Sequence, residues 1–574
     1  MKSFISILII VAALAGSCKK TDEFLTRLPL DQLTDEGYWT SESNIRTFAW
    51  NFYPNAFPGY SAGFDLGWGG YFSGESLNDD FAPTTPPAFA QNVPSTDSRW
   101  SFTFIRRANT MIARVPTAPI SEEAIRHWTG VGRFFRALEF ANKVKVFGDF
   151  PWYSQPLDET DTAGLFKKRD PRTLVMDSVL ADMKYAAEHV REEDIDPALP
   201  DQLYVNKFTV LAFMSRVFLF EGTWQKYHHN NTAKANEYLE AARWAAYEVM
   251  TKGNYSIAPD YRKMFNSLDL TKNPEIILFR RYDVGPGLVM HSLATYNNRE
   301  PQTGASKNLM EAYLCDDGLP ISVSLQYKGD KTVTDVMTNR DPRMYATFVK
   351  NTLRLNGMVN NHSTTGYAVH KFLNEEIANT SEGLNANNPT DAPVIRFGEV
   401  LMNYIEAVAE LGKLTQNDLD MTINRLRKRP GINMPDLQIS GSGLPMVNGV
   451  EFDDPGRDPG VLPILWEIRR ERRIELAMEG FRTTDLRRWR KLEYADMQAN
   501  IDINRGAWIR RADYIPTELN VTLTNDDEGY IIPAPKPESQ RVLTNNRVYL
   551  SPLPDNQIKL YKDNGVELTQ NEGW

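Results

Sequence analysis

Cysteine is nearly absent. Two in 574 residues are too few for a disulfide framework or a multi-cysteine zinc site. Histidine is scarce as well, at seven. The one pair, His228-His229, has no H-E-x-x-H pattern or spaced carboxylates around it, so it reads as an exposed helix end and not a metal site. Basic charge is not in excess: 64 Lys and Arg face 74 Asp and Glu, a formal net charge of −10. That excludes a nucleic-acid binder that tracks phosphates. After residue 14 no apolar run is long enough to cross about 30 Å of hydrocarbon. What remains is the balance of a globular protein with a sizeable core, 42% hydrophobic and 24% charged. Aromatics are plentiful at 11%, with 12 Trp and 24 Tyr, more than packing alone asks for.

Lys2 followed by the apolar stretch Phe4 to Leu14 has the form of a signal-peptide core. Small residues then lead into a cysteine, Leu14-Ala15-Gly16-Ser17-Cys18. This resembles the lipobox of bacterial lipoproteins, although Ala15 stands where leucine is usual. The expectation is a signal peptide over 1–17 and lipidation of Cys18. Acyl chains contribute about 0.8 kcal/mol per buried CH₂ and hold a protein on a membrane without a spanning helix. Lys19-Lys20-Thr21-Asp22-Glu23 reads as a solvated tether and resembles a lipoprotein surface-export signal. Cys315 is then left unpaired. Its neighbours Asp316 and Asp317 oppose thiolate formation, so it is no candidate nucleophile.

Helical periodicity of 3.6 residues runs through Val131–Phe147, Phe208–Trp224, Ala233–Thr251 and Phe397–Val408, with Gly253 and Gly412 as stops. Leu465–Tyr494 reads as a helix broken near Gly480, and Glu275–Phe279 is the best strand. Paired helices with short connections suggest stacked hairpins. Long irregular stretches separate them at 57–99, 283–306 and 439–463, and loops of that length are usually functional.

Gly59-Tyr60-Ser61-Ala62-Gly63 matches the G-x-S-x-G nucleophile elbow but lacks the strand that must precede it, so it reads as a glycine-rich loop. Acidic pairs at 79–80 and 316–317 and the run 526–528 lack EF-hand spacing. No cofactor is expected, calcium being the one left open. Loop aromatics carry more. A sugar ring's C–H face packs on an aromatic face and removes apolar area from water on both sides. Trp68, Tyr71, Trp100, Tyr282 and Tyr296, with Asn78, Asp79 and Arg299 for hydroxyls or acidic groups, are the candidate glycan-binding residues. Trp100, beside Phe104 and Ile105, leans toward the core.

Four segments together resemble the SusD/RagB family of outer-membrane nutrient-binding lipoproteins. They are Phe24 through Tyr38-Trp39; Ile105-Arg106-Arg107-Ala108-Asn109 with Gly132 to Leu138 and Phe147-Gly148-Asp149-Phe150-Pro151; Ile468 to Trp489; and Tyr549 to Pro554 with the ending Gln570-Asn571-Glu572-Gly573-Trp574. The family usually ends Gln-Asn-Pro-Gly-Trp, and Glu572 departs from that. The resemblance implies a mostly α fold, a SusD-like α/α superhelix of tetratricopeptide-like helix pairs with an irregular, loop-rich ligand part. It implies one domain over 18–574, with an N-terminal part to about 225 and a C-terminal part from about 226. It implies a non-enzymatic, lipid-anchored protein at the outer-membrane surface. Such a protein binds oligosaccharide or polysaccharide and passes it to a SusC-like TonB-dependent transporter, with no nucleic acid involved. Capture of peptides or another nutrient is the alternative, and a surface glycan hydrolase a weaker one. In and just before Ile468–Trp489, Glu467, Glu471 and Glu475 at i, i+4 spacing read as an exposed ladder that fixes helices away from the ligand.

Overall fold

The computed structural model describes residues 38–61, 77–89, 92–158, 160–193, 201–285, 289–299, 302–355, 363–515 and 519–574. The expected signal peptide over 1–17, Cys18 and residues 19–23 lie outside them. The fold is mostly helical. Its principal helices are α1 (Glu42–Trp50), α2 (Thr103–Arg114), α3 (Glu122–Phe147), α4 (Arg172–His189), α5 (Lys207–His228), α6 (Thr232–Lys252), α7 (Phe397–Glu410), α8 (Gln416–Met421), α9 (Ile423–Arg427), α10 (Pro463–Glu475) and α11 (Arg482–Arg488).

Local chemistry sets the helix ends. Ser121 Oγ accepts from the Ala124 N–H to open α3, and Glu122 and Glu123 favour the positive end of its dipole. Asn206 and Asn231 cap α5 and α6 in the same way. Gly412 after α7 has a φ of +69°, a conformation only glycine takes readily. Gly253 stops α6 for another reason: its φ is extended, but a Cβ there would meet the Tyr255 ring at 2.7 Å.

Neighbouring helices pack in chain order, α2 on α3, α3 on α4, α4 on α5, α5 on α6 and α6 on α7, and α7 leans on α10. One apolar core runs through all of them, from Trp39 to Leu568. The division near residue 225 falls inside α5, so the two parts of the chain share that helix. Gly222 allows α5 and α6 their close approach, since a Cβ would sit 2.6 Å from Leu239 Cγ. Alanine at Gly222 adds about 1 kcal/mol of helix propensity but overpacks the interface by about 1–3 kcal/mol. The expected outcome is a net loss of stability and a lower urea midpoint.

The irregular segments fold onto a second core of Tyr60, Phe81, Tyr261, Phe265, Tyr282, Tyr296, Tyr313 and Phe372 among others. Strands β1 (Ile276–Arg280) and β2 (Ala392–Arg396) pair antiparallel between the two cores, with Ile276 opposite Arg396. That pairing sets Glu275 beside Arg396.

The glutamates of α10 are not an exposed ladder. Glu467, Glu471 and Glu475 are all buried. Arg343 pairs with Asp341 at 2.7 Å, Glu471 at 2.7 Å and Glu475 at 3.0 Å. Arg396 reaches Glu275 at 2.9 Å and Glu475 at 2.8 Å, and Arg429 reaches the same two at 2.5 and 2.9 Å. Arg427 closes on Glu471 at 2.8 Å. Arg396 also reaches Glu479 at 2.8 Å, which Lys371 meets at 2.9 Å, so five cations face five carboxylates in a neutral network away from solvent, the arrangement in which buried charge is tolerated. Gly398 leaves room for it, since a Cβ would stand 2.3 Å from Arg396 Nη1.

Candidate functional site

Helix α10 carries two stripes. Glu471 and Glu475 point into the charged network and Glu467 is buried against Arg470 at 3.0 Å, while Trp466, Arg470 and Arg473, at i, i+4 and i+7, line a cleft of about 590 Å³. That volume is within the range of about 300–1,000 Å³ typical of small-ligand sites. The facing wall brings Asp79 from the N-terminal loops, Asn308 and Glu311 from a short helix, Asp454 to Asp458 from the loop before α10, and Arg482, Tyr494 and Asn500 from beyond it.

Each wall residue is held from behind. The 78–80 loop is pinned by Ser306 Oγ donating to the Asp79 carbonyl at 2.6 Å and Arg541 donating to the Asn78 carbonyl at 2.8 Å. Arg457 pins its own loop, bonding Asp453 at 2.7 Å and the Val461 carbonyl at 2.6 Å. The Trp466 and Tyr494 rings are half-buried and meet edge to face, 6.3 Å apart at 75°. Tyr494 OH donates to Asp458 at 2.6 Å, and Lys491 reaches the same carboxylate at 2.7 Å. Trp466 Nε1 donates to Asp454 at 3.4 Å, and Arg470 pairs with Asp454.

The charges on the wall balance, Asp79, Glu311, Asp454 and Asp458 against Arg457, Arg470, Arg473 and Arg482. Arg482 is bidentate to Asp79 at 2.7 Å, and Arg473 bonds Asp80 at 2.7 Å. Burial would raise Asp79, but Arg473 and Arg482 outweigh it and hold the carboxyl well below its ordinary range. Burial likewise works against Asp458, yet the bonds from Lys491, Tyr494 and the Gly460 N–H keep it at about 2. Both carboxylates are therefore acceptors at neutral pH. The cleft offers two ring faces and many fixed donors and acceptors with no charge left over. Such a surface suits an uncharged, hydroxyl-rich ligand.

A wider cleft of about 1,230 Å³ lies between the C-terminal tail and the end of α5. Its rings, Trp224 and Tyr549, are 2% and 4% exposed and present no free face.

Among the candidates read from the sequence, Asp79 lines the 590 Å³ cleft and Asn78 lies behind it, buried, with its Oδ1 accepting from the Asp80 N–H. Trp68, Tyr71 and the Arg299 side chain lie outside the described residues. The rings of Trp100, Tyr282 and Tyr296 are a correction. Trp100 packs edge-on against Phe147 and Phe150. Tyr282 stacks beside Tyr60 and donates to the Ser61 carbonyl at 2.8 Å. Tyr296 OH accepts from the Thr303 N–H. All three are 6% exposed or less, because a long loop needs apolar anchors to lie on the body at all. Trp466 and Tyr494 were not singled out. Their signal was there: Trp466 stands out of phase with Ile464, Leu465 and Ile468, which point inward. The expectation that the arginine-rich segment stays clear of the cleft is also revised, since Arg470, Arg473 and Arg482 form part of its wall.

The remaining motifs resolve simply. Ser61 follows the short helix Tyr53–Ala56 and not a strand, so no nucleophile elbow forms there. The His228 ring stacks on Trp224 at 3.7 Å, half-buried, and Nε2 donates to the Arg487 carbonyl. Cys315 is fully buried, and burial first, then Asp317 and Asp316, pushes its thiol up. Among the described residues no group of three or more His, Cys, Asp or Glu is placed to hold a metal.

Residues 294–574 match the model of the SusD family. This stretch belongs to the SusD family. Similarity to SusD-like proteins extends further: the chain is 23% identical over 522 residues to SusD-like protein P38 of Formosa agariphila, covering 86% of this chain and 93% of that one. A SusD-like carbohydrate binding protein of Bacteroides fragilis superimposes with a TM-score of 0.65 at 20% identity, over 91% of this chain and 99% of its own. A laminarin binding SusD-like protein does so at 0.57 and 18% identity, over 93% and 100%. The SusD-like fold expected from the resemblance is the fold observed.

Proposed function

We propose that this chain binds a neutral oligosaccharide or polysaccharide in the cleft between Trp466, Tyr494 and Asp79. The observation that carries the reading is the pair of half-exposed rings set among charge-balanced hydrogen-bonding groups. Sugar C–H faces cover the rings, and the fixed carboxylates and guanidiniums take the hydroxyls. Relatives named for carbohydrate and laminarin binding support it. In this reading Cys18 is lipidated and holds the protein at the outer-membrane surface, where it hands ligand to a SusC-like TonB-dependent transporter. It binds and does not cleave.

The test is affinity electrophoresis of the soluble chain from residue 19 in gels carrying neutral and acidic polysaccharides. Retardation by at least one neutral polysaccharide is the expected result. Free migration through every gel, or retardation by acidic polymers alone, overturns the proposal.

A further inference from the structure

A second cavity, of about 240 Å³, lies where α3, α5, β2, α10 and α11 converge. It is smaller than the roughly 300–1,000 Å³ that encloses a drug-sized ligand, so its occupant is a small group. Three carboxylates line it, and each is already engaged. Glu399 takes Arg216 in two bonds of 2.6 Å, Glu479 takes Arg396 at 2.8 Å, and Asp485 takes Arg472 and Arg488 at 2.9 Å.

Lys145 is the fifth cation of the lining and has none of these partners. Among the described residues its ammonium makes no hydrogen bond or ion pair, and its neighbour is the Phe220 ring, 5.0 Å away. Arg487 stands near it with no carboxylate either. Its Nη2 donates to the Lys145 and Tyr549 carbonyls at 2.9 and 2.5 Å, and its Nε is buried without a partner. A half-buried cation lined up with four guanidiniums is costly without a direct partner, and Glu221 and Glu399, each held by an arginine, offset that only in part. Burial, then Arg216 and Arg487, pushes the Lys145 ammonium down to about 8.

We propose that this cavity binds one oxyanion against Lys145 Nζ, the carboxylate or sulfate of an acidic sugar or free inorganic sulfate. An anion there gives Lys145 the direct partner it lacks, and the five cations against three carboxylates of the lining supply a favourable potential. The site is separate from the neutral cleft and stands whether or not that cleft binds sugar.

Isothermal titration of the chain from residue 19 tests it, at constant ionic strength in chloride, with sodium sulfate, sodium glucuronate and glucose as titrants. The expected result is saturable one-to-one binding of sulfate or glucuronate and none of glucose. Lys145→Met, which keeps the length of the side chain and its contact with Phe220, is expected to weaken the anion at least tenfold. Lys145→Gln serves the same purpose if the methionine variant does not fold, as judged by circular dichroism. Tighter binding of glucuronate than sulfate assigns the site to a sugar acid; the reverse assigns it to a free ion. No saturable heat from either anion, or unchanged anion affinity in the lysine variants, overturns the proposal.

Discussion

Glu475→Gln is expected to cost about 3–5 kcal/mol of stability, the range for breaking a buried ion pair from one side. Glu475 is fully buried and accepts from Arg343, Arg396 and Arg429 at 2.8–3.0 Å. Glutamine keeps the shape but removes the charge and turns an NH₂ toward three guanidiniums. The network is then left with five cations on four carboxylates in a buried region. Urea unfolding reads the loss as a lower midpoint at an unchanged slope. Glu237→Gln is the control: its partner Lys234 is 2.9 Å away, but Glu237 is about half exposed, and such pairs are worth about 0–1 kcal/mol. A loss below 1 kcal/mol at Glu475 would show that the network is not what holds α10 to the loop-rich half.

The same residue fixes a pH window. Burial would raise Glu475, but Arg429, Arg396 and Arg343 outweigh it and hold the carboxyl at about 2, against 4.5 for an ordinary glutamate. A carboxyl depressed in the folded state stabilises the fold above its unfolded value, and that contribution is lost as the pH falls through the folded one. The gap between wild type and Glu475→Gln should therefore be constant above pH 5 and close between about pH 4.5 and pH 2. A gap that persists at pH 2 would assign the loss to packing and not to charge.

Trp466→Ala is expected to weaken polysaccharide binding about five- to twelvefold. Fully burying a large apolar side chain is worth about 1.5–3 kcal/mol. A sugar covers one face of a ring already half-buried, so about half of that is at stake, roughly 1–1.5 kcal/mol, and each 1.4 kcal/mol is tenfold. Gel retardation or calorimetry measures it with the polysaccharide that the wild type binds. The indole keeps only the Tyr494 edge and a long bond to the Asp454 carboxylate, so its truncation should lower thermal melting less than Trp100→Ala does. Trp244→Ala, an exposed tryptophan on α6, should change nothing. Trp100→Ala should do the opposite of Trp466→Ala, lowering stability while leaving the affinity of the folded fraction intact. Undiminished affinity in Trp466→Ala would place the ligand elsewhere.

The contrast between these tryptophans shows how far a sequence reaches. Position in a loop suggests exposure, yet Trp100 is an anchor in the helical core, and Tyr282 and Tyr296 are anchors in the second core. Position in a helix suggests packing, yet Trp466 faces the cleft because it falls outside the inward stripe of Ile464, Leu465 and Ile468. Exposure of a ring depends on which surface folds over it, and residues far away in the chain decide that.

The helices over 131–147, 208–224, 233–251 and 397–408 and their stops were legible in the chain itself, because helical phase, capping and glycine stops act within a few residues. So was the break near Gly480, where α10 ends and α11 begins. The family resemblance was legible too, being a matter of residue order. The charged network was not. Glu471 and Glu475 look like part of a solvated ladder until Arg343, Arg396, Arg427 and Arg429 arrive from up to 132 residues away. Nor was the cleft, which sets Asp79 against Arg482 across 403 residues. Local sequence determined the helices and the family; only tertiary packing decided which charges lost their water and which rings kept a free face, because desolvation is a property of the assembled surface and not of any segment.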